Sequence, residues 1–179
     1  MDKQQLRKDI KQRLQGMTDK DEQSNKIANL LLGCDLPCKS ICIYNSLPSE
    51  VNTKRLIEEF SKTKEVYLPV VEGDDILLVK VDKDTRYEEA KWGISEPVGK
   101  RLKPEDVKPD ITITPLLGTD VNLNRLGKGK GFYDRYFQKV NTYKIGLAFY
   151  EQLEENIPCD EWDKKLDMLV LPDRIIKRQ

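Results

Sequence analysis

The chain has no histidine among its 179 residues. This absence excludes Ser-His-Asp and Cys-His nucleophilic systems and every metal site that depends on imidazole. Any chemistry must therefore use carboxylates, lysine, arginine, tyrosine, the backbone or a hard cation. Cysteine is scarce, with four residues and no Cys-x-x-Cys pair. We expect these cysteines to be reduced thiols with no metal or disulfide role.

Long apolar runs and an excess of one charge are also missing. No stretch approaches the roughly 20 apolar residues that span a bilayer, and the first residues, MDKQQ, lack the apolar centre of a signal peptide. Lys plus Arg and Asp plus Glu each number 31, so the net charge is zero, whereas nucleic-acid binders usually carry a basic excess. We expect a cytoplasmic protein of one domain, residues 1–179, that binds neither membranes nor nucleic acid.

Residues 124–137, NRLGKGKGFYDRYF, contain three glycines with two lysines between them, followed by a helix-like aromatic run. Glycine backbone can direct several N–H groups at one anion, and the lysines add full positive charges. The positive end of the helix dipole adds to both. The pattern therefore predicts a loop that holds a chain of phosphates. Asp134, in the first helical turn, is placed to hold the accompanying Mg²⁺.

Glycine–lysine runs are also typical of solvated loops, so the two interpretations compete. Neither familiar phosphate signature is present. A P-loop requires Ser or Thr after its lysine, and none follows Lys130. The dinucleotide fingerprint requires its third glycine three residues after the second, whereas Gly131 lies two after Gly129. The stretch indicates a phosphate loop of another kind.

Residues 125–134 resemble the signature of the 5-formyltetrahydrofolate cyclo-ligase family, whose members are also called methenyltetrahydrofolate synthetases. The resemblance continues in the same order through residues 3–7, 46–53, 92–97, 145–149 and 163–167. It implies ATP- and Mg²⁺-dependent conversion of 5-formyltetrahydrofolate to 5,10-methenyltetrahydrofolate, with release of ADP and phosphate. It also implies a three-layer α/β/α sandwich with a mostly parallel sheet, similar to sugar-phosphate isomerases and CoA transferases.

The resemblance also assigns roles to individual positions, with Arg125 and Lys130 as the catalytic residues. The implied ATP-binding residues are Lys3, Arg7, Arg125, Leu126, Gly127, Lys128, Gly129, Lys130, Gly131, Phe132 and Tyr133. Asn45, Glu50, Phe132 and Tyr133 are the implied folate contacts, and Asp134 and Asp163 the implied Mg²⁺ ligands. Asp167 is left open between a carboxylate behind the metal ligands and a residue at a strand end.

Hydrophobic periodicity independently favours alternating helices and strands, which is typical of a parallel sheet covered by helices. Helices are expected over residues 2–17 and 53–62. Another is expected to begin at a capping box formed by Thr18 and Asp21 and to end at about Leu32, with Gly33 at its C′ position. A further helix follows residues 127–131, which we call the glycine loop. Tyr136 and Phe137 on this helix are assigned to the core. Strands are expected over residues 40–44, 66–70, 76–81, 111–114, 144–149 and 167–171.

Several alternatives stay open at this point. Trp92 packs on the core or on a ligand. Trp162 stands where many family members have histidine, which argues against obligatory proton transfer there. The chain is a monomer or a homodimer. The rival functions are an ATP-dependent kinase or ligase for another heterocycle, and a folate-binding protein without turnover.

Overall fold

The computed structural model describes residues 2–90 and 93–179, so the prediction for Trp92 lies outside the described residues. The helices are α1 (Lys3–Gln15), α2 (Lys20–Leu32), α3 (Lys54–Ser61), α4 (Pro104–Val107) and α5 (Phe132–Lys139). The strands are β1 (Ser40–Ile43), β2 (Glu65–Glu72), β3 (Asp75–Val81), β4 (Tyr87–Glu89), β5 (Ser95–Pro97), β6 (Ile111–Thr114), β7 (Gly118–Thr119), β8 (Arg125–Leu126), β9 (Tyr143–Leu147), β10 (Met168–Val170) and β11 (Ile175–Lys177). No described helix is both long and apolar enough to cross a membrane.

Seven strands form one mixed sheet in the order β11-β10-β9-β6-β1-β2-β3. The five central strands pair in parallel, and only the two edge strands, β3 and β11, run antiparallel to their neighbours. In the register of the centre, Ile41 of β1 lies opposite Val66 on one side and Ile111 on the other. The expected α/β fold with a mostly parallel sheet is confirmed.

Side chains that alternate along the strands cover two opposite faces of the sheet. Ile41 and Ile43 pack in the core cluster that includes the apolar residues of α1, α2 and α3. Cys42, between them, packs with Tyr136 and Phe137 of α5 in a second cluster. The sheet is therefore the middle of three layers, with α1–α3 on one face and α5 on the other.

The start of α2 differs from the prediction. The helix begins after Asp19, and the Thr18–Asp21 capping box does not form. The carboxylate of Asp19 instead accepts a hydrogen bond at 3.1 Å from Nε2 of Gln23, one turn along. Gly33 is the C-cap itself, with φ of −77°, rather than a left-handed residue beyond it.

Several short elements carried no periodic signal and were not predicted. Besides α4, they include the β4–β5 hairpin, the two-residue β7–β8 pair and the edge strand β11. Two or three residues are too few to show a period of two, so only tertiary pairing defines these elements. The β7–β8 pair matters for function because β8 opens the glycine loop.

The strand order changes direction between β1 and β6. From β1 the chain continues to β2 on one side, and the later strands β6, β9 and β10 proceed to the other side. In open α/β sheets, ligands bind in the crevice outside the carboxyl ends of the strands at such a switch point. Here that crevice receives the loop after β1, which contains Glu50, and the segment after β6, which begins at Pro115.

We expect Ile10→Ala to lower the free energy of unfolding by about 2–5 kcal/mol. Ile10 is fully buried where α1 meets the sheet, so its loss leaves a cavity under the helix that carries Lys3 and Arg7. Urea titration followed by circular dichroism measures the change. Lys11→Ala is the matched control, since Lys11 is the exposed next residue. Equal stability of the two variants would contradict the docking of α1 through Ile10.

Candidate active site

A cavity of about 400 Å³ lies at the switch point of the sheet. Its wall comes from the start of α1, the glycine loop with the first turn of α5, and the turn at residues 160–163, with Pro115 and Leu116 after β6. The lining includes Lys3, Arg7, Arg125, Leu126, Gly127, Lys128, Gly129, Lys130, Gly131, Phe132, Tyr133, Asp134 and Asp163. Every residue assigned from the sequence to ATP or to Mg²⁺ thus lies on one cavity.

The glycine loop depends on glycine at two positions. Gly129 has φ of +102° and Gly131 has φ of +71°, a region that residues with a Cβ rarely adopt. Gly131 is also the residue directly before α5, so the left-handed turn directs the chain into the helix. The loop therefore brings exposed backbone and the amino end of α5 together on the cavity, as an anion site requires.

Helix α1 holds this loop through Arg7. Its Nε donates a 2.9 Å hydrogen bond to the carbonyl oxygen of Gly127. A Cβ on Gly129 would lie only 3.5 Å from the guanidinium carbon of Arg7. The guanidinium thus lies directly against the bare backbone of the loop, where it adds positive charge to the proposed phosphate site.

Arg125 places a buried cation in the cavity wall. Its side chain is 5% exposed, and Nη2 donates a 2.8 Å hydrogen bond to Oδ1 of Asp134. Its guanidinium also lies over the ring of Phe137, 5.9 Å from the centroid. Burial lowers the pKa of Arg125 while the Asp134 carboxylate opposes that change, and the guanidinium stays protonated. Nε has no hydrogen-bond partner among the described residues, so Arg125 is a charged donor with unused capacity.

Lys3 ties the amino end of α1 to the turn at residues 160–163. Its Nζ lies 2.9 Å from a carboxylate oxygen of Asp160 and 2.9 Å from one of Asp163. Burial disfavours the ammonium, but its hydrogen bonds to the two carboxylates outweigh burial and raise the pKa of Lys3. Burial likewise disfavours the ionised form of Asp163. The backbone N–H of Asp160 and the Lys3 ammonium outweigh burial and lower the pKa of Asp163. Asp163 is therefore held ionised.

The carboxylates of Asp134 and Asp163 provide a test of the expected Mg²⁺. Oδ1 of Asp134 is bonded to Arg125, and Oδ2 of Asp163 to Lys3. The second oxygen of each carboxylate accepts no hydrogen bond within residues 2–90 and 93–179. In the same ranges no cluster of three acidic, cysteine or histidine ligands forms a complete protein cage for a cation. Mg²⁺ is usually bound by one or two carboxylates together with substrate phosphates, so this donor set fits it.

Asp167 lies elsewhere. Its carboxylate accepts a 2.8 Å hydrogen bond from the backbone N–H of Lys144 and borders a different groove, beside Thr142 and Arg178. Lys144 belongs to the beginning of β9, and Asp167 immediately precedes β10. Of the two alternatives left open by the sequence, the structure favours a strand-end residue. Asp167 lies at the amino ends of the parallel strands, and the cavity lies at their carboxyl ends.

Glu50 and Asn45 do not line the cavity, although Glu50 is directly connected to it. Oε2 of Glu50 lies 3.3 Å from Nζ of Lys128, and Oε1 accepts a 2.7 Å hydrogen bond from the backbone N–H of Leu47. The Glu50 side chain is only 8% exposed. Nδ2 of Asn45 donates to the carbonyl oxygen of Ser95 at 3.2 Å. The loop after β1 therefore meets the glycine loop through one ion pair.

The aromatic residues after the glycines divide into two groups. Phe132 and Tyr133 line the cavity, whereas Tyr136 and Phe137 are buried in the core, as the sequence predicts. Burial raises the pKa of Tyr133 well above its ordinary value. The hydroxyl of Tyr136 shares a 2.9 Å hydrogen bond with that of Thr112, and burial raises its pKa too. Both phenols are therefore neutral at physiological pH.

Four lining residues have no place in the sequence-based assignment: Pro115, Leu116, Asp160 and Trp162. The first two follow β6 at the switch point, a position that topology reveals and composition does not. Asp160 and Trp162 precede Asp163 in one turn. For Asp160 the signal was its proximity to a candidate metal ligand, and for Trp162 its departure from the histidine that many family members have.

Comparison with known proteins identifies the family. The model of the 5-formyltetrahydrofolate cyclo-ligase family matches residues 1–172. The chain belongs to this family. A probable 5-formyltetrahydrofolate cyclo-ligase from Schizosaccharomyces pombe is 34% identical over 98% of this chain and 97% of its own length. A cyclo-ligase from Haemophilus influenzae is 38% identical over 74% of this chain and 75% of its own length.

Solved structures of the cyclo-ligase family agree with the fold. The solution structure of Aquifex aeolicus 5,10-methenyltetrahydrofolate synthetase superposes with a TM-score of 0.85 at 34% identity. The match covers 99% of this chain and 93% of that one. Family membership and architecture predicted from residues 125–134 and their companions are therefore confirmed. The roles of individual site residues remain predictions.

We expect Arg125→Met to weaken inorganic tripolyphosphate binding about ten-fold or more, since a charge-assisted hydrogen bond contributes about 1.5–3 kcal/mol. Stability should fall by no more than about 1 kcal/mol, because methionine avoids the cost of burying a charge. Asp134, left unpaired, is partly exposed and can be solvated. Calorimetric titration and urea unfolding measure the two quantities. Arg13→Met, which removes a charge from α1 outside the cavity, controls for net charge. A large loss of stability with intact binding would make the Arg125–Asp134 pair structural.

Proposed function

We propose that the protein catalyses the ATP-dependent cyclisation of 5-formyltetrahydrofolate to 5,10-methenyltetrahydrofolate, with release of ADP and phosphate. The observation that carries this proposal is the cavity itself, where Arg125, the glycine loop, Asp134 and Asp163 meet in a chain of the cyclo-ligase family. The extent of the domain, residues 1–179, the cytoplasmic location and the monomeric or homodimeric state stay predictions from the sequence.

The reaction needs a formyl group to be activated. The formyl oxygen of an amide is a poor leaving group, and its carbon is a poor electrophile. Transfer of the γ-phosphoryl group of ATP to that oxygen breaks the bond to the β-phosphate and converts the oxygen into a phosphate leaving group. N10 of the same substrate then attacks the formyl carbon, phosphate departs, and the N10 proton is lost. Such phosphoryl transfer requires mainly positioning and charge neutralisation.

The residues of this chain supply those two requirements. The backbone of Gly127, Gly129 and Gly131 would hold the triphosphate, with positive charge from the basic residues around it. Arg125 and Lys130 would neutralise the group in transfer, Arg125 from its fixed buried position and Lys130 from the exposed loop. The hydrogen bond to Asp134 would keep the Arg125 charge in place before the substrate arrives, so little reorganisation of this residue would accompany the reaction.

Asp134 and Asp163 would hold the Mg²⁺ that accompanies ATP. When bound, Mg²⁺ supplies neutralisation of the charge on the phosphate oxygens. The chain itself keeps both carboxylates available: the lowered pKa of Asp163 maintains its negative charge. Arg125 orients Asp134 by the hydrogen bond to Oδ1. The Mg²⁺ assignment rests on this donor set and on the phosphate site beside it.

Glu50 would recognise the folate, since a carboxylate can accept two hydrogen bonds from the amino-pyrimidine edge of a pterin. Asn45 belongs to the same loop, and Phe132 and Tyr133 would border the folate from the glycine loop. Because the pKa of Tyr133 is raised, its phenol would serve as an uncharged contact rather than a base. Lys128, paired with Glu50, would then lie between the folate and phosphate ends.

The direct test mixes enzyme, ATP, Mg²⁺ and 5-formyltetrahydrofolate and follows the absorbance of the methenyl product, with ADP measured in parallel. We expect stoichiometric formation of both, abolished by EDTA and restored by excess Mg²⁺. ADP release only with another heterocycle would favour the kinase or ligase alternative. Folate binding with neither product would favour a binding protein without turnover.

Glu50→Gln tests the folate end. Glutamine keeps the size of the side chain but presents an NH2 group to a donor edge of the ligand. We expect folate affinity to fall about five- to a hundred-fold, the effect of leaving a buried group unpaired at roughly 1–3 kcal/mol. Fluorescence titration of folate, with and without a non-hydrolysable ATP analogue, measures it. Glu58→Gln, an exposed change on α3, is the control. Unchanged folate affinity would show that Glu50 forms an ion pair with Lys128 and does not recognise the folate.

A further inference from the structure

The turn at residues 160–163 lies at the surface and is closed by hydrogen bonds. The backbone N–H of Asp163 donates to the carbonyl oxygen of Asp160 at 3.1 Å, and the N–H of Asp160 donates to Oδ2 of Asp163 at 2.8 Å. Lys3 of α1 binds both carboxylates at 2.9 Å. Glu161 and Trp162 are the two central residues of this doubly closed turn. Four hydrogen bonds therefore define the conformation of this turn.

Trp162 is unusually exposed for its size. Its exposure of 59% exceeds that of every other large hydrophobic side chain in the described residues, of which the next, Val71 and Val121, reach 49%. Single exposed hydrophobic residues are common and carry no meaning by themselves. Trp162 differs because it forms part of the cavity wall, together with Lys3, Arg7 and the glycine loop. A large flat apolar side chain therefore belongs to a cavity wall that also carries eight charged residues.

A nucleotide has the complementary division, with a charged polyphosphate at one end and a flat base at the other. The glycine loop, Arg125 and the carboxylates account for the charged end. Base–aromatic stacking raises affinity by about ten-fold or more per base in other proteins, and it needs an exposed ring on the wall of the site. Trp162 meets this condition.

The folate is the other flat ligand, and the contacts of the turn argue against it. The 160–163 turn is bonded to α1 through Lys3, whereas the Glu50 loop is bonded to Lys128. Among the described residues, no hydrogen bond or ion pair joins the turn to residues 45–50. We propose that Trp162 is the platform on which the base of the bound nucleotide stacks, and so contributes to nucleotide affinity. This inference rests on the proposed function, since it assumes a nucleotide in this cavity.

The test compares a ligand that has a base with one that lacks it. ADP and inorganic tripolyphosphate are titrated, with Mg²⁺, against the parent protein, Trp162→Ala, Trp162→Phe and the control Tyr150→Ala. Tyr150 is another exposed aromatic residue, and it does not line the cavity. We expect Trp162→Ala to weaken ADP binding roughly ten-fold, with tripolyphosphate affinity within about two-fold of the parent. Phenylalanine should restore most of the ADP affinity because it retains an aromatic face.

Indole fluorescence gives a second readout. Stacking should quench the emission of Trp162 on ADP addition, so the quenching seen in the parent should be smaller in Trp162→Phe and unchanged in Tyr150→Ala. Equal ADP affinity of Trp162→Ala and the parent would overturn the inference. A parallel loss of ADP and tripolyphosphate would also overturn it, since Trp162 would then only shape the turn. A parent that binds neither ligand would instead remove the nucleotide site of the proposed function, and this inference with it.

Discussion

The carboxylate of Asp120 joins two segments that lead to the cavity, one before the glycine loop and one before the 160–163 turn. Asp120 is fully buried and accepts four hydrogen bonds, of 2.8 to 3.1 Å, from the backbone N–H groups of Asn122, Asn124 and Ile157 and from the side chain of Asn124. Asn124 immediately precedes β8 and the glycine loop, and Ile157 precedes the 160–163 turn. A buried carboxylate is costly unless its oxygens are satisfied, and here both oxygens bind the segments that carry Arg125 and Asp163.

This network also supports a strained residue. Leu123 has φ of +69° and is buried, a conformation that costs about 1–3 kcal/mol for a residue with a Cβ. Its backbone N–H donates to the carbonyl oxygen of Asp120 at 3.1 Å, and its own carbonyl accepts from the N–H of Leu166 at 2.8 Å. Leu123 thereby links the approach to the glycine loop with the segment after the 160–163 turn. The positions of the cavity-lining segments therefore depend on buried residues behind the cavity as well as on the lining residues themselves.

Local patterns were sufficient for the architecture because strands such as residues 40–44 and 111–114 are continuous apolar or β-branched runs. The glycine loop was recognisable because its composition, glycine backbone beside lysines, is what an anion-binding loop requires. The ion pairs Lys3–Asp163 and Lys128–Glu50 were beyond such reasoning, since their partners are 160 and 78 residues apart. Trp162 was visible only as a departure from the family pattern. Its exposure on a cavity wall is a property of the folded chain, and no period or spacing encodes it.

Three of the five cationic side chains on the cavity wall are paired with carboxylates of the chain. Arg125 binds Asp134, Lys3 binds Asp160 and Asp163, and Lys128 binds Glu50. A polyphosphate carried with a divalent cation offers the opposite charge to each member of these pairs at the same time. Under the proposed function, an exchange of partners would therefore keep these charges compensated, whereas a free anion or a free cation would satisfy only one half. Glu50 and Asp163 are largely buried, so a ligand that left either carboxylate unpaired would bind at a cost.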